Sequence, residues 1–298
     1  MGGTGKKRGK GLGALLLGAL TLGFAAIFVR WSEPASPLVI GFFRMLFALP
    51  GVLFLALREG PATAPGAGRA RAWAIGAGLC FVVDLWLWHL SLRHTSAANS
   101  TLLVGLSPLW VALLGIAIFG TRLRKRAWGG LLLALCGALV LSLAKGARWG
   151  TGYGEFLAAL ASGAYAVFTL ALSRAREGLS ARRALAWVSL TGAAGFGLLA
   201  LLLGNPFGPF PAHSWLALVG LGIVVQVAAW WLISWGLGHV DANLGSIGLL
   251  VQPVATIGLA WLLLGEPMKP LQGLGALIIL SGIALSAFTP PLEARRRP

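Results

Sequence analysis

Charged residues are scarce in this 298-residue chain. Only 11% of its residues are Asp, Glu, Lys or Arg, whereas 57% are hydrophobic. A soluble protein of this length needs more charge, because most of its surface must face water. The scarcity therefore excludes an ordinary soluble globular protein.

The sequence also lacks the residue patterns that hold a metal or a nucleotide. Its two cysteines, Cys80 and Cys136, lie in apolar segments and are interpreted as buried thiols. The sequence has no His, Cys or Asp cluster with the spacing of metal ligands and no glycine-rich loop that could cradle a phosphate. We therefore expect neither a metal nor another cofactor, and we do not expect ATP to drive the protein.

Long apolar runs, in contrast, are abundant. Residues 12–29 form an uncharged run of 18 residues, and about 20 helical residues cross the hydrocarbon core of a bilayer. The runs do not alternate polar and apolar positions as the strands of a membrane barrel would. The sequence thus predicts an all-α integral membrane protein with ten spans. Spans 1 to 10 are, in order, 11–30, 37–57, 72–92, 97–120, 127–145, 153–173, 183–204, 214–237, 242–264 and 270–289.

The basic residues are distributed unequally between the two sides of these spans. Eighteen lie on the side of the N-terminus and five on the other side, within a net charge of +16. This bias follows the positive-inside rule and predicts a multi-pass protein of the cytoplasmic (inner) membrane with both termini in the cytoplasm. Topology explains the positive charge, so no nucleic-acid partner is expected.

The second half of the chain repeats the first at a distance of 140 to 145 residues. The segment 82–88 recurs as 224–230, with Gln226 in the place of Asp84. The segments 98–120 and 242–265 also match, since each begins with Ala-Asn, has a proline in mid-span and ends in glycine. Residues 6–30 resemble a signal peptide, but they too have a counterpart in the second half and are therefore interpreted as span 1.

The repeat predicts two five-helix units, residues 1–145 and residues 150–298. Because five is odd, the second unit must cross the membrane in the opposite sense to the first. Inverted repeats of this kind are typical of secondary transporters, whose substrate site lies near the membrane midplane.

The repeated segments also resemble the EamA repeat of the drug/metabolite transporter superfamily. The resemblance rests on Ser107-Pro108, Gln252-Pro253 and Gly265-Glu266-Pro267, and it covers residues 11–289. Within the superfamily the chain is most similar to the YddG-type amino acid exporters. That similarity implies export of aromatic and other neutral amino acids, or of related small metabolites, by alternating access. The aromatic amino acid exporters have an aromatic residue where this chain has Ser107, so a strict preference for aromatic substrates is not implied.

Two equivalent helix faces are the main candidates for a substrate site. Asp84 and Trp88 share a face of span 3, and Gln226 and Trp230 share a face of span 8, because residues four apart are neighbours on a helix. A two-fold axis would turn these faces toward each other across a cavity. There Asp84 could pair with an ammonium group, and the indoles could add cation–π attraction. Alternatively, Asp84 carries a coupling proton or only joins helices through His89 or Arg44.

Other polar residues and two prolines complete the candidate set. The candidate substrate-binding residues are Asp84, Trp88, His89, Ser107, Gln226, Trp230 and Ser246, and the candidate gating or kink residues are Pro108 and Pro253. Each proline removes a helical hydrogen bond and could flex during gating, whereas the serines could equally be polar contacts between helices. We expect Arg44, in span 2, to snorkel toward the membrane surface or to pair with Glu33.

Other functions fit parts of the sequence. An exporter of other small metabolites or of cationic drugs would use the same helix faces. Gly105-Leu-Ser107-Pro108 resembles the serine motif of intramembrane proteases, but the duplicated segment explains it without catalysis, so no enzyme is expected. A channel would need a filter sequence or rings of charge, which the sequence lacks. The expected partners are a small-molecule substrate and the lipid bilayer, and the oligomeric state is left open, a monomer included.

Overall fold

The computed structural model describes residues 2–59, 66–119, 125–143, 152–237, 239–240, 248–249 and 251–287. Within these ranges the secondary structure is helical, without a strand. Six helices are long and apolar enough to cross a membrane, and four shorter apolar helices accompany them. The predicted fold class is confirmed: an all-α integral membrane protein with ten helical spans in two inverted five-helix repeats.

The helices follow the predicted spans. In the first repeat they are Gly2–Leu22 and Ala25–Trp31 (span 1), Pro37–Leu57 (span 2), Ala67–His94 (span 3), Ala97–Val104 and Ser107–Phe119 (span 4) and Lys125–Leu143 (span 5). In the second repeat they are Tyr153–Ala175 (span 6), Ala181–Leu202 (span 7), Ala212–Gly220, Leu221–Ala229 and Trp230–Leu237 (span 8), Val251–Leu264 (span 9) and Pro270–Ala287 (span 10). The first residues predicted for span 9, 242–247, lie outside the described residues.

Serine side chains fix where three of the spans begin. Ser36 and Ser180 precede spans 2 and 7, which are equivalent in the two repeats, and Ser96 precedes span 4. Each hydroxyl accepts a hydrogen bond from the amide three residues further on. Such caps satisfy amides that the first helical turn leaves without a partner. Such caps matter most near lipid, because no water is present there to accept the amide hydrogen in place of the serine hydroxyl.

Three spans are interrupted along their length. Span 1 breaks at Gly23 and Phe24, span 4 breaks at Gly105 and Leu106, and span 8 passes through a π-helix, Leu221–Ala229. Pro108 is the second residue of the helix that follows the break in span 4, where a missing amide removes no hydrogen bond from the helix. No sequence pattern predicted the π-helix, a rare form that is frequent at functional sites.

The spans pack in a pattern with approximate two-fold symmetry. Span 3 packs on spans 6 and 7, as the equivalent span 8 packs on spans 1 and 2. Span 4 packs on span 6 as span 9 packs on span 1, while spans 2 and 7, 4 and 9, and 5 and 10 pair across the axis. Spans 2, 3, 7 and 8 therefore meet near the axis, where a shared site would lie.

The close approach of spans 2 and 8 depends on Gly222. A Cβ atom at this position would lie only 2.5 Å from Cβ of Phe47 and 3.1 Å from the Phe47 backbone. Glycine thus lets span 8 lie directly against span 2. This contact brings Gln226, four residues further along span 8, within reach of Arg44.

Candidate functional site

Arg44 and Gln226 join the two repeats through a buried hydrogen bond. Nε of Arg44 donates to Oε1 of Gln226 over 3.0 Å, and the residues lie 182 positions apart in sequence. Arg44 is 3% exposed and Gln226 is 1% exposed. The expectation that Arg44 snorkels or pairs with Glu33 is therefore wrong, because its side chain turns into the bundle instead of toward the surface.

Asp84 approaches the same guanidinium from span 3. Its carboxylate is buried, and it interacts electrostatically with Arg44. None of the hydrogen bonds among the described residues involves Asp84, so the two charges are near each other without a direct pair. Asp84 and Gln226 thus reach a common point through Arg44, and the three residues are called the central cluster.

Aromatic rings surround the central cluster on one side. The guanidinium carbon of Arg44 lies 6.0 Å from the ring centroid of Phe81, at the edge of the range for a cation–π contact. Phe81 stacks on Phe168 at 4.5 Å, and Tyr165 of span 6 interacts electrostatically with both Arg44 and Asp84. Sequence reasoning missed Tyr165 and gave Arg44 only a structural role, as a possible partner of Asp84 or Glu33, although a charged residue inside a span is itself a signal of function.

His89 is buried beside span 2. Its Nδ1 lies 3.1 Å from the carbonyl oxygen of Pro37, and the residue is 1% exposed. A carbonyl can only accept, so Nδ1 carries the hydrogen and a neutral ring presents Nε2 as an acceptor. The neighbouring Trp88 is buried too, with its ring centroid 5.5 Å from that of His89.

Several buried nitrogen atoms in this region have no hydrogen-bond partner among the described residues. They are Nη1 of Arg44, Nε1 of Trp88, Nε2 of His89 and Nε1 of Trp230. A buried polar atom without a partner costs about 1–3 kcal/mol, and more when it is charged. Three of these atoms are hydrogen-bond donors, and Nε2 of His89 is an acceptor.

The remaining predicted site residues lie elsewhere or cannot be placed. Ser107 is half-buried at the start of its helix, and no described contact links it to the central cluster. Pro253 is the third residue of the span 9 helix and is buried. Ser246 lies outside the described residues. The geometry therefore supports spans 2, 3 and 8 as the site and adds nothing for spans 4 and 9.

A second polar group of contacts lies where spans 1, 3 and 9 end and span 4 begins. Arg30 donates from Nη2 to the carbonyl oxygen of Thr95 over 2.8 Å and pairs with Oε1 of Glu266 over 3.2 Å. Oε2 of Glu266 accepts the amide hydrogen of Ala97, at the start of span 4, over 2.9 Å. Arg30, Thr95, Ala97 and Glu266 are called the terminal cluster. A pocket of about 440 Å³ opens beside it, lined among others by Arg30 and Glu266.

Comparison with known proteins assigns the family. The model of the EamA-like transporter family matches residues 9–143 and again residues 152–288. The chain belongs to this family. The resemblance of this EamA-like protein to the drug/metabolite transporter superfamily is thereby confirmed, as is the prediction of a multi-pass membrane transporter.

Curated relatives of this EamA-like protein are themselves named as transporters. An uncharacterized transporter of Archaeoglobus fulgidus is 25% identical over 93% of this chain and 96% of its own. The uncharacterized transporter YetK of Bacillus subtilis is 27% identical over 66% of this chain and 61% of its own. A probable terminal-alkyne amino-acid exporter of Streptantibioticus cattleyicolor is 28% identical over 64% of each chain. The chain thus spans slightly less than two thirds of the length of the last two.

A solved crystal structure supports the fold. It superposes with a TM-score of 0.66 over 95% of this chain and 98% of its own, at 21% sequence identity. At that identity the match shows a shared architecture and carries no information on the substrate.

Proposed function

We propose that this EamA-like protein is a secondary transporter of the cytoplasmic (inner) membrane that exports amino acids or related small metabolites by alternating access. The observation that carries the proposal is the central cluster, in which span 2, span 3 and span 8 bring polar residues of both repeats to one buried point. Charged groups inside a membrane bundle are costly and persist where they serve a pathway or a solute. Their place near the axis of an inverted repeat is where transporters of this architecture bind substrate.

Asp84 is proposed to receive the amino group of the solute. A buried carboxylate provides acceptors for an ammonium group, and an indole face adds attraction of about 0.5–2 kcal/mol. Trp88 and Trp230, four residues after Asp84 and Gln226, supply such rings. The Streptantibioticus cattleyicolor relative, named as a probable amino-acid exporter, supports this substrate class.

The terminal cluster is proposed to close the path on the outer side. The bias of basic residues supports a cytoplasmic position for both termini, and the terminal cluster would then lie at the opposite face of the membrane. There Arg30 of the first repeat holds Glu266 of the second. The repeats, proposed to span residues 1–145 and 150–298, would have to part at this contact for the central cluster to open outward.

Export of other small metabolites or of cationic drugs is the second candidate. Asp84 and the surrounding rings favour it, because a carboxylate with aromatic walls also suits an organic cation. An enzymatic role has less support, since the family and the relatives quoted above are named as transporters. These alternatives predict different solutes for the same site.

A counterflow experiment tests the proposal. Purified protein in liposomes loaded with unlabelled amino acids should accumulate the labelled forms of neutral amino acids faster than protein-free liposomes. Trp230→Ala should slow that exchange. Wild-type rates equal to those of empty vesicles across all twenty amino acids would refute the proposed function, whereas an unaffected Trp230→Ala would remove only that residue from the site.

A further inference from the structure

Arg44 is a buried cation with incomplete hydrogen bonding. Its Nε donates to Gln226, but its Nη1 finds no acceptor among the described residues. A guanidinium keeps its charge and presents five donors in a planar fork that matches a carboxylate in two-point contact. The free edge of the fork is therefore suited to an anionic oxygen pair that the described part of the chain does not supply.

Asp84 does not complete the hydrogen bonding of Arg44. The two side chains interact electrostatically, yet no hydrogen bond joins them among the described residues. If Asp84 served only to neutralise Arg44, a close pair would be expected, since a buried ion pair is favourable only with good geometry and full hydrogen bonding. Charges of opposite sign that face one region without touching suit a molecule that carries both signs.

We propose that Arg44 binds the carboxylate of a zwitterionic solute while Asp84 binds its ammonium group, so that the transported molecules share the head group of an α-amino acid. This inference rests on the proposed function and narrows its substrate class. An α-amino acid carries both groups on one carbon atom. Arg44 supplies a positive charge for its carboxylate, and Asp84 supplies a negative charge for its ammonium group.

The same arrangement selects against organic cations. A cationic drug without a carboxylate would find an acceptor at Asp84 but would bring no anionic group to offset the repulsion from Arg44. Repulsion of this kind is how a site discriminates between ligands that share one feature. The side chain of the amino acid, in contrast, would point away from both charges, so the head-group contacts fix the class of solute and leave its side chain open.

Competition by matched analogues tests the proposal in wild-type protein. Counterflow of labelled L-phenylalanine and of labelled L-threonine is measured with three competitors each: the amino acid, its amide, which lacks the carboxylate, and the deaminated acid, which lacks the amine. Both analogues should compete at least about tenfold more weakly than the amino acid, because each loses a hydrogen-bonded charge. Competition by the amides as strong as by the amino acids would overturn this inference and leave the proposed function standing. If no amino acid shows counterflow, both fall.

Two variants separate the roles of the charges. Arg44→Gln should abolish the preference for the amino acid over its amide, and Arg44→Lys should restore part of it. Asp84→Asn should abolish the preference for the amino acid over the deaminated acid and retain the preference for the amino acid over its amide. Arg71→Gln, an exposed arginine at a helix end, is the matched control and should keep both preferences.

The variants remain decisive if one of them fails to fold. Where Arg44→Gln shows no thermal unfolding transition in detergent, Arg44→Lys and Asp84→Asn are compared instead. A weakened preference over the amide in Arg44→Lys, together with a lost preference over the deaminated acid in Asp84→Asn, supports the assignment. Wild-type preferences in both would contradict it, and so would an equal loss of both preferences in both.

Discussion

Spans 3 and 8 are copies of one another in sequence, and each directs a polar side chain to Arg44. Span 3 is a continuous helix that carries the carboxylate of Asp84, whereas span 8 passes through a π-helix and carries the neutral amide of Gln226. Counted from the capping serines of spans 2 and 7, the position equivalent to Arg44 is Val188. The helical framework is thus duplicated while the charges are not. A site with two unlike ends can orient a solute that itself has two unlike ends.

The terminal cluster shows the same difference between the two repeats. Arg30 and Glu266 form an ion pair at one end, but the repeat relation places Leu170 and Thr121 at the equivalent positions. These residues carry no charge. The ion pair of the terminal cluster therefore has no charged counterpart at the positions that the repeat relates to it.

The largest expected effect comes from removing the charge that distinguishes span 3 from span 8. In Asp84→Asn the two spans present similar amides, and counterflow of neutral amino acids should fall by about ten- to a hundredfold, as expected for a lost charge-assisted hydrogen bond. Initial rates in liposomes measure the effect. Glu177→Gln, an exposed carboxylate at a helix end, should transport like the wild type. Equal rates for Asp84→Asn and the wild type would show that the charge asymmetry has no part in transport.

Adding a charge to span 8 should also impair transport. Gln226→Glu places a carboxylate within hydrogen-bonding distance of Nε of Arg44, where the two would form a close ion pair. That pair would compete with the solute for the guanidinium, so the apparent affinity should fall about tenfold. The thermal unfolding midpoint should not decrease. A fall in that midpoint with unchanged affinity would instead indicate a purely structural Arg44.

A smaller effect is expected from the packing difference between the two spans. Gly222→Ala would drive a methyl group into Phe47 and should destabilise the protein by about 1–3 kcal/mol. At Gly76 of span 3, no atom lies within 4 Å of the place that an added Cβ would take, so Gly76→Ala should be neutral or stabilising by up to about 1 kcal/mol. Unfolding in a denaturant series compares the two. The same response from both variants would contradict the close contact of spans 2 and 8.

The smallest effect is expected at the terminal cluster. The side chains of Arg30 and Glu266 are 27% and 22% exposed, and pairs of this kind contribute about 1 kcal/mol or less. Arg30→Gln and Glu266→Gln should each change the counterflow rate by no more than about fivefold. The double variant should transport at the same rate as either single variant, because each single substitution already removes the whole interaction between Arg30 and Glu266. Fully additive effects would show that the two residues act separately.

The ten spans and their repeat relation could be predicted from the sequence because length, hydropathy and internal repetition are encoded along the chain. The same repetition predicted that Asp84 and Gln226 face a common region, and in the structure both side chains interact with Arg44. The hydrogen-bond partner of Arg44 could not be predicted from the sequence, because a long flexible side chain can turn to the surface or to the interior. Only the close approach of spans 2 and 8 at Gly222 decides between those directions.

The π-helix and the breaks in spans 1 and 4 were also beyond sequence reasoning. Apart from Gln226, Leu221–Ala229 is as apolar as its neighbours, and no proline marks the change in hydrogen bonding. The break in span 4 begins at Gly105, three residues before Pro108. The proline therefore indicated the region of the break but not its position. Tertiary contacts, rather than local preferences, determine such irregularities.

Solute protection of a cysteine in the central cluster tests the account most directly. In a Cys80→Ala, Cys136→Ala background, a cysteine is introduced by Gln226→Cys, and its alkylation is followed with and without a transported amino acid. A second cysteine, introduced by Leu198→Cys at a position that is 59% exposed, serves as the control. The account predicts that the amino acid slows alkylation at position 226 and leaves position 198 unchanged. Equal alkylation rates at position 226 with and without solute, in a variant that still transports, would contradict a binding site at Arg44, Asp84 and Gln226.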